Sequence, residues 1–483
     1  MLKHTKIVAT ISDKNCEVDF LRSLHLAGMD VVRMNTAHLN EEGLEKIVRN
    51  TREVSDRTGI LIDTKGPDIR TCRVKEPIPF KTGEIVKITG DPAGESSRDC
   101  ICVSYAGIAD DVGVGCMILI DDGDLELKVI EKEGKSLVCE VRNNATLGNH
   151  KGLNVPGVHI NLPSISEKDR KNIDWAITRE LDFIAHSFVR SKQDVLDIQQ
   201  ILDERKSPIK IIAKIENQEG VDHIDEILEV AYGIMIARGD LGIELPVEQI
   251  PGIQRTLIRK CEEIKKPVIV ATQMLHSMIS HPRPTRAEVT DIAGAVYERT
   301  DALMLSGETA YGKYPVEAVQ TMTRIIREAE KTKHEANEFR VLIASDEPDI
   351  TSFLAKRAVK SSAKINVRAI ITDSHTGRTA RYLAAFRGKA TVFAICYNEQ
   401  VMRMLSLSYG VWAVYQPWNN NRRTYFFEAL NLLLDSGHIT LTDKVAYLGG
   451  SFGKGGGTSF LEINEVNRIF SMDEHYELPT FIS

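Results

Sequence analysis

"KIIAKIEN", residues 210–217, is an apolar run of strand length that sets Lys214 and Glu216 two residues apart. In an extended chain, positions i and i+2 share a face, so the two opposite charges point the same way. Either they form an ion pair tolerated at a strand end, or the charged end opens into a cleft where chemistry uses both groups. How many such strands the chain holds, and what stands at each end, decides between the two.

Seven further runs have the same character: "TKIVAT" (5–10), "GMDVVRMN" (28–35), "GILIDTKG" (59–66), "LDFIAHSF" (181–188), "GIMIARGD" (233–240), "KPVIVATQ" (266–273) and "TDALMLSGE" (300–308). Each ends in polar residues or glycine, and stretches of amphipathic helical pattern separate them. Eight strand–helix units predict an α/β fold, a (β/α)8 TIM barrel with its active mouth at the strand C-termini. The interval between the third and fourth strands is too long for a loop. Its short β-type runs, "FKTGEIVKITGDPAG" (80–94) and "CMILIDDGDLELKVIEKEGKSLVCEVRNNATLG" (116–148), predict an inserted small all-β domain at the rim, a natural lid.

A helix ending near Lys333 runs into "KTKHEANEF" (331–339), read as a linker. Beyond residue 346, "VRAIITDS" (367–374), "ATVFAIC" (390–396) and "KVAYLGG" (444–450) alternate with helical patterns, predicting a separate open α/β domain. The expected limits are 1–66 with 163–333 for the barrel, 67–162 for the lid and 346–483 for the C-terminal domain.

Bulk properties narrow the function. A chain of 483 residues is long enough for two to four domains, and 42% hydrophobic with 27% charged residues is ordinary for a globular protein. The start "MLKHTKIVATIS" goes straight into a strand-like run, and no stretch of about 18 apolar residues occurs, so a cytoplasmic protein without a membrane partner is expected. Eight scattered cysteines read as reduced thiols, and thirteen histidines without ligand spacing exclude a zinc motif. A formal charge of -7 argues against a nucleic-acid partner.

Glu216 and Asp240, read as the ends of the fifth and sixth strands, would meet at the mouth. Two hard oxygen ligands there suit magnesium or manganese. Lys214, one pleat deeper, is a fixed cation able to stabilise an enolate or a phosphoryl group in transfer, acting beside Glu216 rather than pairing with it. Gly239 and Gly242 in "ARGDLGIELP" either let backbone amides approach a substrate anion or only turn the chain. "RMN" and "DTKGPDIR" add Arg33, Asn35, Asp63, Lys65 and Arg70, with the arginines as candidate phosphate clamps. Thr272, Ser306 and Glu308 close the ring, as a proton relay or as loop caps. "GGSFGKGGG" (449–457) misses the P-loop spacing but remains a glycine-rich candidate for binding an anion.

These stretches, with "KGLNVPG", "SEKD", "ATQML", "PRPTRAEVTD" and "LSGETAYGKYPVEAV", resemble the pyruvate kinase family in order along essentially the whole chain. The resemblance implies transfer of the phosphoryl group of phosphoenolpyruvate to ADP, giving pyruvate and ATP, with a C-terminal effector domain and a homotetramer. It also implies roles for particular residues. Glu216 and Asp240 would hold a divalent metal; Lys214, Arg33 and Arg70 would face the phosphoryl group; Gly239 and Asp240 amides would receive the carboxylate, and Thr272 would lie near the protonated carbon. Arg70, Lys151, Asn35 and His38 would take the nucleotide. Asn35, Asp63 and the Thr64 carbonyl would hold potassium, with Ala37 replacing a serine ligand and Asp68 replacing the usual Glu. "TISDKN" lacks the family's Gly-Pro, and His276 replaces a common Glu. "SHTGRTA" brings Ser374, His375, Thr376, Gly377, Arg378 and Thr379 to a loop for the phosphate of a sugar-phosphate or nucleotide effector. A catalytically silent sensor of the same fold is the alternative, and a complete catalytic set argues against it.

Overall fold

The computed structural model describes residues 2–335, 349–418, 422–450 and 457–471. All eight expected runs form strands: β1 (Lys6–Thr10), β2 (Val31–Asn35), β3 (Gly59–Asp63), β4 (Phe183–His186), β5 (Lys210–Ile215), β6 (Gly233–Ala237), β7 (Val268–Ala271) and β8 (Ala302–Leu305). They close into one parallel barrel in which β1 pairs with both β2 and β8. Strict alternation governs the barrel. Ile7, Val32, Ile60, Ile211, Ile234 and Leu303 pack outward against the helices, whereas Val8, Val31, Leu61, Phe183, Ile212 and Met235 fill the interior. Continuing the inward set by two residues toward the strand C-termini reaches Thr10, Arg33, Asp63 and Lys214, so polar groups follow apolar ones along the same face.

Between β3 and β4 the chain forms a seven-stranded and a two-stranded sheet around a separate core that includes Ile88, Ile101, Leu127 and Leu137. Past the barrel, the helix Pro315–Glu335 extends beyond the expected end near Lys333, and the rest of the expected linker lies outside the described residues. The C-terminal sheet has four parallel strands, β9 (Ala369–Ser374), β10 (Thr391–Cys396), β11 (Val411–Tyr415) and β12 (Lys444–Gly449), and an antiparallel edge, β13 (Phe460–Glu465). Of the glycine-rich stretch 449–457, residues 451–456 lie outside the described residues. All eight cysteines are free thiols. No helix among the described residues is long and apolar enough to cross a membrane.

The C-terminal domain is fastened to the bottom of the barrel through buried carboxylates that precede strands. Asp301, before β8, receives both terminal nitrogens of Arg387 at 2.8 Å, together with the backbone amides of Val268 and Tyr409. Asp182, before β4, takes Arg403 at 2.7 Å, Arg52 at 2.8 Å and the Ile60 amide at 2.8 Å. Within the barrel itself, Glu330 of the helix Pro315–Glu335 accepts from the Thr5 amide at 2.6 Å and its hydroxyl at 2.8 Å, just before β1. Removing one partner of such a pair strands a buried charge. Asp301→Ala is therefore expected to cost about 3–5 kcal/mol, read as a lowered urea midpoint by tryptophan fluorescence.

Candidate active site

The cleft at the C-terminal mouth of the barrel has a volume of about 490 Å³ and opens between barrel and lid. Its floor is a cluster of buried charges. Arg33 binds Asp63 through Nε at 2.6 Å and Nη2 at 2.5 Å, and reaches the Thr10 hydroxyl at 3.0 Å. Lys214 Nζ lies 3.2 Å from Asp63, 2.9 Å from Glu216 and 2.8 Å from the Ser187 hydroxyl. Lys214 and Glu216 thus do form the ion pair that the strand motif raises as its first alternative. Both line the cleft, so pairing and access coexist.

Burial alone would raise the Asp63 carboxyl, but the Arg33 and Lys214 charges hold it below the ordinary carboxylate range. Burial works against the Lys214 ammonium, and Asp63, Glu216 and Asp240 together raise it above its usual value. Glu216 is pushed up to about 7 by burial, with Lys214 opposing and Asp240 adding to the shift. Its second oxygen accepts the Phe188 amide at 2.6 Å. Phe188 has φ 56°, a left-handed conformation that a bulky residue keeps only where its surroundings enforce it.

Asp240 does not end a strand. β6 stops at Ala237, and Asp240 stands in the first turn of the short helix Arg238–Glu244. Its carboxylate has no hydrogen-bond or ion-pair partner among the described residues and lines the cleft with Glu216. Two carboxylates are hard oxygen donors of the kind that a divalent cation takes, and no cluster of three or more His, Cys, Asp or Glu able to hold a metal occurs among the described residues.

The Gly239 amide donates to the Thr272 hydroxyl at 2.8 Å, and that hydroxyl donates to the Ala271 carbonyl at 2.6 Å. Here Thr272 caps the helix start. It too lies in the left-handed region, φ 69°, and Arg238 fastens it by donating to its carbonyl at 2.7 Å while paired with Asp291 at 2.8 Å. Glu308 accepts the amides of Leu275 and Ser306, so its carboxylate shapes the loop and is engaged away from any relay.

Arg70 belongs to the lid strand Ile69–Arg70, bound to Asp68 at 2.5 Å and to the His150 carbonyl at 3.0 Å, and it lines the cleft. Lys151 pairs with Asp121 at 2.6 Å; it, exposed His38, Gly239 and Thr272 lie outside the cleft lining. Each oxygen expected at a monovalent cation has a partner: Asn35 accepts the Ala37 amide, Thr64 accepts the Ser187 hydroxyl at 2.7 Å, and Asp63 holds its two cations. In the C-terminal domain, Ser374 ends β9 and accepts the Gly377 amide at 2.9 Å. Gly377 (φ 77°) turns the chain into the helix Arg378–Ala385. His375 packs on Tyr397, Arg378 pairs with Asp349, exposed Thr376 stands between them, and Thr379 meets Thr458 at 2.7 Å beside the glycine-rich stretch.

Sequence reasoning passed over Ser187, Asp169 and His186. Ser187 was legible as the next inward polar residue after β4. Asp169, in "SEKD", accepts the Lys65 and Gly66 amides and fixes the loop after β3, where a side chain on Gly66 (φ 72°) would meet Phe188 and Ser187 at 2.8 Å. His186 is buried, and neither ring nitrogen has a hydrogen-bond partner among the described residues.

The fold and cleft define a TIM-barrel enzyme whose centre is built around buried cations and carboxylates, suited to group transfer. The family model for the pyruvate kinase barrel domain matches residues 2–319, and that for the pyruvate kinase alpha/beta domain matches 353–464. The chain is 44% identical over 468 residues to the pyruvate kinase of Borreliella burgdorferi, covering 96% of this chain and 98% of that one. It is 42% identical over 479 residues to that of Bacillus licheniformis, covering 97% and 81%. A crystal structure of a pyruvate kinase from Cryptosporidium parvum matches with TM-score 0.90 and 36% identity over 96% of both chains. The chain belongs to the pyruvate kinase family.

Two outcomes follow from the local geometry. Thr272→Ala leaves the Gly239 amide without its acceptor and is expected to cost about 1–3 kcal/mol in urea unfolding, whereas Thr272→Ser stays near wild type. His186 is held below its ordinary pKa by burial, against the opposing pull of Asp194, Asp169, Asp197 and Glu216. The unfolded state then binds more protons below pH of about 6.5, so stability present above that value is lost as pH falls. His186→Leu is expected to flatten that acid limb in unfolding measured from pH 8 to pH 5.

Proposed function

We propose that the cleft transfers the phosphoryl group of phosphoenolpyruvate to ADP, giving pyruvate and ATP. The observation that carries this reading is Lys214, a buried ammonium at the mouth of the barrel held by Asp63, Glu216 and Ser187. An ammonium fixed in a low-dielectric cleft stabilises charge developing on an enolate or on a phosphoryl group in flight, with no reorganisation at the moment of reaction.

In this reading Arg33 binds the phosphate while anchored by Asp63, and the lid's Arg70 closes on it from above, with Lys151 reaching the nucleotide phosphates. Asn35 and His38 border the nucleotide. The first turn of the short helix Arg238–Glu244, with Gly239 and Asp240, receives the substrate carboxylate. Thr272, at its start, positions that helix and lies on the side where the methylene carbon gains its proton. Magnesium or manganese at Glu216 and Asp240 would supply positive charge to the phosphoryl oxygens. Potassium near Asn35, Asp63 and Thr64 would have one oxygen ligand fewer because of Ala37. The loop Ser374–Thr379 would take the phosphate of a sugar-phosphate or nucleotide effector. The limits 1–66 with 163–333, 67–162 and 346–483, a cytoplasmic location and a homotetramer complete the proposal.

A coupled assay of pyruvate formation from phosphoenolpyruvate and ADP tests it. Turnover should require the divalent cation and vanish on chelation. Lys214→Met should lower kcat by about 10²–10³-fold or more, with an unchanged far-ultraviolet spectrum. An inactive wild type under every combination of magnesium, manganese and potassium overturns the reading.

A further inference from the structure

The chain returns from the lid to the barrel through the strap 154–162, and that strap is pinned to the loops that carry the active centre. Arg190, in the loop after β4, donates to the Ile160 carbonyl at 2.8 Å and to the Leu162 carbonyl at 3.0 Å. The remaining face of its guanidinium meets Asp194 at 3.2 and 3.4 Å. Asp194 also accepts the Arg190 amide at 2.8 Å, so the loop is tied at both backbone and side chain. A second pin joins His159 of the strap to Glu219 at 2.9 Å, three residues beyond Glu216.

The loop that Arg190 closes has a strained backbone at Phe188. Within four residues it presents the Ser187 hydroxyl to Lys214, the Phe188 amide to Glu216 from a left-handed conformation, and the Arg190 fork to the strap. A conformation of that kind persists only when neighbouring contacts over-determine it. The strap carbonyls are two of those contacts, and the strap is the chain that leaves the lid.

We propose that Arg190 is a positioning residue for phosphoryl transfer, which couples the place of the lid strap to the orientation of Glu216 and Lys214 through the loop 187–190. This rests on the proposed reaction but is separable from it. A planar fork reaches two carbonyls and a carboxylate together, and an ammonium does not. Arg190→Lys keeps the charge beside Asp194 and loses the grip on the strap.

Hydrogen–deuterium exchange and kinetics on Arg190→Lys and Arg190→Gln test the coupling. Both variants are expected to lose protection in 155–162 and 187–191 together, with the helix Ile250–Glu263 unchanged. The kcat should fall by about tenfold to a hundredfold, a misplacement effect, with the KM for phosphoenolpyruvate within about threefold of wild type. Loosening of the strap without loosening of 187–191 overturns the proposal, and so does full kcat in Arg190→Lys, which would leave only a charge at Asp194. A wild type without turnover would defeat the reaction reading, while the exchange pattern would still decide the coupling.

Discussion

The structure depends on one carboxylate. Asp63 is buried at the top of β3 and shared between Arg33 of β2 and Lys214 of β5, so one acidic group orients two cations that reach it from either flank of its strand. Without it, two positive side chains would be desolvated a few ångströms apart, which the interior does not tolerate. With it, the floor of the cleft holds Arg33 and Lys214 against Asp63, Glu216 and Asp240. With every group ionised, two cations facing three carboxylates carry a formal charge of minus one, and burial of Glu216 shows how strongly the site resists that excess.

The barrel that carries this floor is closed at its lower end by the C-terminal domain. The inward-facing apolar set runs from Val31, Leu61 and Phe183 into residues of the C-terminal domain such as Leu405 and Tyr409, forming one continuous core. Asp301 and Asp182 sit where β8 and β4 begin and fasten Arg387 and Arg403 there. The same strands end at Leu305 and His186, and the residue after β4, Ser187, lines the cleft. Among the described residues, the C-terminal domain thus contacts the lower ends of strands whose upper ends lead into the cleft.

Most of the barrel was legible because its physics is local. Alternation with a polar or glycine end needs only one strand's sequence, and it located all eight strands, Lys214 and Glu216. What escaped was set by contacts distant in sequence. Asp240 was placed on a strand because "IMIARGD" reads as one run, whereas the chain turns at Arg238, whose side chain is captured by Asp291 and the backbone of β7. Thr272 could be a relay or a cap by sequence; the amide of Gly239, thirty-three residues away, makes it a cap in this structure. Arg190 carries no signal of its own, because the carbonyls it grips belong to a strap whose path no local pattern fixes.

The cost of the cluster bears on whether the cleft is used. Buried ion pairs contribute little to stability, and apolar residues of similar volume in their place are often neutral or stabilising. A scaffold serving only to present the C-terminal domain would hold together at least as well with an apolar plug where Arg33, Asp63, Lys214 and Glu216 stand. The layer beneath them, Val31, Leu61 and Ile212, is such a plug. The barrel interior therefore changes from apolar to polar and charged within one pleat, at the depth where the cleft opens. Strain gathers at the same level, in the left-handed backbones of Phe188 and Thr272. Desolvated charge and backbone strain in one place burden the fold, and a catalytic centre, unlike a silent sensor, gives them a use.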